Sequence, residues 1–128
     1  MRLLLDTHAL IWWLTDDPAL PQAARDVITS PDNDVYVSHV SAWEIAVKRQ
    51  LGKIEFPLEA FEDILATNQF EPLPIRLEHI LALGNLPMHH RDPFDRLLVA
   101  QAGKDRLTLV SGDRQMAAYR VRLLWNEM

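Results

Sequence analysis

The sequence predicts an α/β fold, a three-layer α/β/α sandwich with a mainly parallel central sheet. Two observations lead there. Short apolar runs alternate with segments of helical apolar spacing along the whole chain, the pattern of a parallel sheet covered on both faces. The first of these runs, Arg2 to Asp6, is apolar without interruption until an acid closes it, as suits a strand buried on both sides. A chain of 128 residues fits one domain spanning 1–128, and no internal repeat, low-complexity tract or long linker divides it.

The elements follow in order. After the first strand, Leu10, Ile11 and Leu14 mark a helix over Thr7 to Leu14, broken by Asp16, Asp17 and Pro18. Pro21 to Ile28 reads as a second helix, stopped by Ser30-Pro31-Asp32-Asn33. Asp34 to Ser38 (DVYVS) alternates with β-branched residues and reads as a strand. Trp43, Ala46, Val47 and Leu51 set a helix over Ser41 to Leu51, with Gly52 as its C-terminal cap. Pro57 to Thr67 is a further amphipathic helix. A strand over Phe70 to Ile75 contains Pro72 and Pro74 and is confined to an edge. Leu77 to Leu86 is helical, and Pro87 to Asp92 (PMHHRD) is a polar loop. Asp92 caps a helix from Pro93 to about Lys104, with proline in the favoured first position. Leu107 to Ser111 is a strand, Gly112-Asp113 turns into a short helix, and Val121 to Trp125 is the last strand.

Composition bounds the function. The 48% hydrophobic and 24% charged fractions are those of a soluble globular protein. Cysteine is absent, which excludes a disulfide framework and thiolate sites for zinc or iron–sulfur. The opening MRLLLD has too short an apolar run for a signal peptide, and a membrane span needs roughly 20 apolar residues. The expected setting is the cytoplasm, with no membrane partner. A net charge of −5 disfavours binding to phosphate-rich polymers. Setting four candidate site acids aside leaves the remaining chain close to neutral, and bound divalent cations reverse the local sign of an acidic cleft.

Those four are Asp6, Glu44, Asp95 and Asp113. In open parallel α/β sheets, sites form just beyond the carboxyl ends of the strands. Asp6 ends the first strand, and Asp113 lies two residues past the late strand. Glu44 and Asp95 are expected in the first turns of helices whose N-termini point at the same sheet edge. Clustered carboxylates repel and raise one another's pKa, which a hard divalent cation removes. Oxygen-only ligands favour Mg²⁺ or Mn²⁺ over zinc. Two such ions activate a water and stabilise the leaving oxygen in an in-line displacement at phosphorus. Each acid also has a purely structural reading. Asp6 can cap the first helix, and Ser41-Ala42-Trp43-Glu44 matches the capping-box pattern. Asp95 can complement a helix dipole, and Asp113 can be a turn acid.

The segments LLLDTHALIWWL, VSHVSAWEIAVKRQLGKI, HHRDPFDRLLVAQA and LTLVSGD together resemble PIN-domain proteins, and more narrowly VapC-type toxins of toxin–antitoxin pairs. The resemblance covers almost the whole chain, its elements come in the family's order, and HRDPFDRLL is its most specific part. It implies a metal-dependent endoribonuclease in which Asp6, Glu44, Asp95 and Asp113 match the four acidic positions. Asp6 and Asp95 match those expected to touch the metal directly. Thr7 and Ser111 match hydroxyl positions that help hold the acids, with Ser111 standing where the family usually has Thr. Asp92 competes for the third acidic position, and its place at a helix cap favours Asp95. The resemblance also implies an RNA substrate, a homodimer and a VapB-like antitoxin whose C-terminal segment lies across the site.

Other features carry less. The five histidines show no HExxH pattern and have no cysteine partner. His90 and Arg91 precede Asp92 and are candidates for RNA contact, beside the reading of an ordinary solvated loop. Trp12 and Trp13 diverge by about 100° on a helix, so only one fits easily in a given core pocket. Lys48, Arg49 and Lys53 read as a solvated face near a helix C-terminus. The alternative to the nuclease is a non-catalytic α/β interaction module whose acids are helix caps. A haloacid-dehalogenase-type phosphatase would carry DxD where this chain has Asp6-Thr7-His8, and a response-regulator receiver would carry an acidic pair before the first strand's end.

Overall fold

The computed structural model describes residues 1–119 and 121–124. Among these residues five strands form one sheet: β1 (Arg2–Leu5), β2 (Asp34–Ser38), β3 (Glu71–Leu73), β4 (Thr108–Val110) and β5 (Leu123–Leu124). Their spatial order is β3-β2-β1-β4-β5 and every pairing is parallel. Leu3 sits between Val35 of β2 and Thr108 of β4. Among the described residues six α-helices cover the sheet: α1 (Thr7–Leu14), α2 (Gln22–Thr29), α3 (His39–Gln50), α4 (Phe61–Thr67), α5 (Leu77–Gly84) and α6 (Pro93–Asp105).

Strand alternation divides the core in two. Leu3, Leu5, Val35, Val37 and Val110 point to one face, where they pack with Ala9, Leu10, Ala24, Ile45 and Leu65 of α1 to α4. Leu4 and Leu109 point to the other, against Leu97, Leu98, Val99 and Ala102 of α6. The three-layer sandwich follows from that split. None of the helices among the described residues is long and apolar enough to cross a membrane.

Several boundaries differ from the sequence expectation. The third helix starts at His39 rather than Ser41, because Ser38 is its cap and accepts the Val40 N–H at 2.9 Å. The capping box Ser41–Glu44 therefore does not exist, and Glu44 lies in the second turn, not the first. The expected helix from Pro57 opens as a 3-10 turn over Leu58–Ala60 before α4. The strand over Phe70 to Ile75 shortens to Glu71–Leu73, at the edge where its proline requires it. The turn after Asp113 is a 3-10 segment, Arg114–Ala118. The last strand holds only Leu123–Leu124, and Trp125 lies outside the described residues. Gly52 follows the C-cap residue of α3 at φ +74°, a left-handed conformation that glycine adopts without strain.

Candidate metal centre

The chain runs from β1 outward to β2 and β3, then returns to the other side of β1 for β4. The order therefore reverses between β1 and β4, and ligand sites of open parallel sheets form at such a crevice. Asp6 directly follows β1, and its N–H extends the ladder to Val110 O of β4 at 3.1 Å. Asp113 lies three residues beyond β4. Both line a cavity of about 280 Å³ with His8, Trp12 and Gly112. A larger apolar groove between α1 and α4, about 460 Å³ in volume, carries only the exposed acids Glu55 and Asp63 and no converging cluster.

Asp6 is almost fully buried, and its Oδ1 accepts the Ala9 N–H at 2.7 Å, capping α1. Burial pushes its carboxyl above the usual range and the Glu44 charge adds to this. Hydrogen bonds from Ser111 and the Ala9 N–H, with the charge of His8, work against the rise. Ser111 Oγ accepts the Asp113 N–H at 3.1 Å, so one hydroxyl ties the two acids together. Thr7 Oγ1 and Ser41 Oγ lie 2.9 Å apart, both buried, joining α1 to α3. Ser41 was not singled out from sequence, where it looked like a helix cap.

Glu44 is 2% exposed. Lys48, one turn on, donates to its Oε2, while Oε1 is buried with no hydrogen-bond partner among the described residues. Lys48 is thus not part of a solvated face. Burial lowers its pKa, but the bond and charge of Glu44, with Asp92 and Asp95, outweigh this and hold it above its ordinary value. Arg49 instead pairs with Glu59 at 2.8 Å, away from the acids.

Asp92 caps α6, its Oδ1 accepting the N–H of Phe94 at 2.8 Å and of Asp95 at 3.0 Å. The Asp95 carboxyl, one turn inside, is left for other work. Burial, and then the charges of Asp92, Asp6 and Glu44, push its pKa up to about 7, with His90 pulling down. His90 Nε2 reaches Asp95 Oδ2 at 3.1 Å and Asp113 Oδ2 at 2.8 Å. With both ring nitrogens engaged and 8% exposure, His90 does not face solvent as an RNA-contacting loop residue would. Arg91 is exposed beside it. The histidine's position beside two acids was hidden in the sequence because the contact spans 23 residues to Asp113.

Asp95 thus feels the charges of Asp92, Asp6, Glu44 and His90, and His90 joins it to Asp113. Asp6, Asp92 and Asp113 cap helical segments, Asp113 by accepting the Gln115 N–H at 2.9 Å. Glu44 and Asp95 cap nothing. A buried carboxylate oxygen without a donor, in a mostly oxygen-bearing cluster, fits a hard divalent cation. Trp12 and Trp13 are both half-buried against the core, Trp13 donating from Nε1 to Asn68 Oδ1 at 3.0 Å.

A PIN-domain family model matches residues 3–122. The chain is 27% identical over 128 residues to Ribonuclease VapC22 of Mycobacterium tuberculosis, an alignment covering 91% of each protein. Its fold is similar to the crystal structure of VapBC2 from Rickettsia felis bound to a DNA fragment from its promoter, with TM-score 0.72 at 15% identity over 97% of this chain and 98% of that one. DNA-bound VapBC from Salmonella typhimurium is similar at TM-score 0.68 and 15% identity, covering 97% of both chains. With the family match running from β1 to the start of the last strand, this chain belongs to the PIN-domain family.

Proposed function

We propose that the protein is a metal-dependent endoribonuclease that hydrolyses RNA phosphodiester bonds as the toxin of a toxin–antitoxin pair. The observation that carries this reading is the convergence of buried acids at the β1/β4 crevice, where Asp95 is pushed up to about 7 by burial and its neighbours. Helix capping accounts for Asp6, Asp92 and Asp113 but not for Glu44 or Asp95, which weighs against an interaction module. In this reading Asp6 and Asp95 are the main ligands of Mg²⁺ or Mn²⁺, with Glu44 and Asp113 completing the centre. When bound, the cation supplies activation of the attacking water and neutralises charge developing at phosphorus. Ser111 steadies Asp6 and Asp113, the Thr7–Ser41 contact fixes α1 against α3, and Lys48 offsets the charge of Glu44. Arg91, exposed beside the cluster, is available to an RNA phosphate.

The proposed partners are a VapB-like antitoxin and a second copy of the chain, in the cytoplasm. Support comes from the VapBC complexes that share the fold and from exposed Leu77, Ile80 and Leu81, which line one side of α5. Purified protein is expected to cleave single-stranded RNA in Mg²⁺ or Mn²⁺ and to lose that activity in EDTA. The product of a neighbouring small reading frame is expected to co-purify and suppress the cleavage. Equal cleavage with and without EDTA would remove the metal from this account.

A further inference from the structure

The loop between α5 and α6 sets a nitrogen where a cation would be held. His90 Nε2 lies 2.8 Å from Asp113 Oδ2 and 3.1 Å from Asp95 Oδ2, and the three groups have ligand atoms within 4.8 Å of one another. That geometry admits two readings. His90 is a third ligand beside two carboxylates, or its ring stands in the cation's place.

The opposite edge of the ring decides between them. His90 Nδ1 lies 3.1 Å from the Asp92 backbone nitrogen and accepts its N–H. A backbone amide only donates, so Nδ1 is the bare nitrogen and, in the neutral ring, Nε2 carries the proton. A metal-bound histidine has the reverse arrangement. Its coordinating nitrogen is bare, and the other ring nitrogen donates to an acceptor. To ligate through Nε2 from this position, His90 would have to move its proton to Nδ1 and set it against the Asp92 N–H, one donor facing another. The ring is placed to donate to Asp113 with Asp95 3.1 Å away, not to coordinate beside them.

The loop also holds the His90 backbone independently of the ring. The His90 backbone N–H is held separately, donating to the Tyr119 hydroxyl at 3.0 Å, and Arg96 donates to the same oxygen at 3.3 Å. Pro87, Met88, His89 and Arg91 around it are exposed.

We propose that His90 competes with the divalent cation for Asp95 and Asp113, its Nε2–H taking the cation's place between them, so that cation entry requires the ring to swing out. This rests on reading the acids as a metal centre, and it names the residue that sets how tightly that centre holds its ion. Hydrogen bonds to charged groups are the strong ones, so losing this competitor is expected to tighten binding by roughly ten-fold.

The test is Mn²⁺ binding to the full chain, read by calorimetry and by the electron paramagnetic resonance of free Mn²⁺. Wild type is compared with His90→Ala, His90→Phe and Asp95→Asn. The phenylalanine variant keeps the ring's volume, so a loss of packing in the alanine variant does not confuse the result. Both His90 variants are expected to bind Mn²⁺ more tightly than wild type, and Asp95→Asn more weakly. Unchanged affinity in both His90 variants would overturn the competition, and weaker affinity would make His90 a ligand. Either result, with Asp95→Asn still impaired, leaves the metal centre standing. No saturable binding in any variant, or wild-type affinity in Asp95→Asn, would bring down the metal centre and this inference with it. Independently, long-range ¹H–¹⁵N spectra of the wild type in EDTA should show His90 as the Nε2–H tautomer, and an Nδ1–H tautomer would contradict the proposal.

Discussion

Asp6→Asn is expected to lower RNA cleavage by on the order of 100-fold or more, the scale of losing a charged group at a preorganised centre, while the protein stays folded. The two outcomes separate because Asp6 has two jobs. Its Oδ1 caps α1 through the Ala9 N–H at 2.7 Å, and asparagine caps as well as aspartate. The substitution therefore keeps the helix start and removes only the negative charge. Burial already disfavours that charge, so the variant in EDTA is expected to melt no lower than the wild type. Asp6→Ala removes the cap as well and is expected to lose about 1 kcal/mol of stability in addition to activity. Cleavage assays beside thermal melts of the three proteins check both halves of the argument.

Asp95→Asn is expected to abolish the pH dependence that this carboxyl gives the protein in EDTA. Burial, followed by Asp92, Asp6 and Glu44, moves its pKa from 3.8 to about 7 in the folded chain. Below the unfolded value both states carry the proton, and the group imposes no penalty. Between there and pH 7 the unfolded chain releases its proton first, so stability falls as pH rises, and above pH 7 the penalty is complete. The wild type in EDTA should therefore lose stability from pH 5 to pH 8 through this group, and the asparagine variant should not. Water reaches part of this carboxyl, which is 17% exposed, so the gap at pH 8 is discounted to roughly 1–2 kcal/mol, or about 3–8 °C in melting temperature. Added Mn²⁺ should raise the wild-type melting point more than the variant's. Equal melting curves for the two proteins at pH 5 and pH 8 would remove the strained acid from the account.

Much of this arrangement was legible in the chain because its cues are local. The unbroken run Leu3 to Leu5 declares a strand buried on both faces, and it does lie at the centre of the sheet. Asp92-Pro93 declares a helix start, and Asp92 is the cap, which separates it from Asp95. Pro72 declares an edge strand, and β3 is one. What failed was decided by contacts that local cues do not report. Ser41-Ala42-Trp43-Glu44 fits a capping box as well as any sequence can, yet Ser38 is the cap, and its hydroxyl also donates to Gln101 of α6. The helix accordingly starts two residues earlier than expected, at His39, and Glu44 lies in its second turn. A long-range contact likewise hid His90 behind a polar loop, while Lys48 was hidden because its i,i+4 partner Glu44 turned out to be buried. Spacing along the chain reports which elements carry the acids. Only the crossing of the strands reports which neighbours those acids meet.

The most direct test of the metal centre is an anomalous difference map from crystals grown with Mn²⁺. The account predicts a peak in the β1/β4 crevice, bounded by the carboxylates of Asp6 and Asp95, with Glu44 and Asp113 beside it and the His90 ring displaced. Ordered density for all four acids with no peak between them, or a peak elsewhere on the surface, would contradict it.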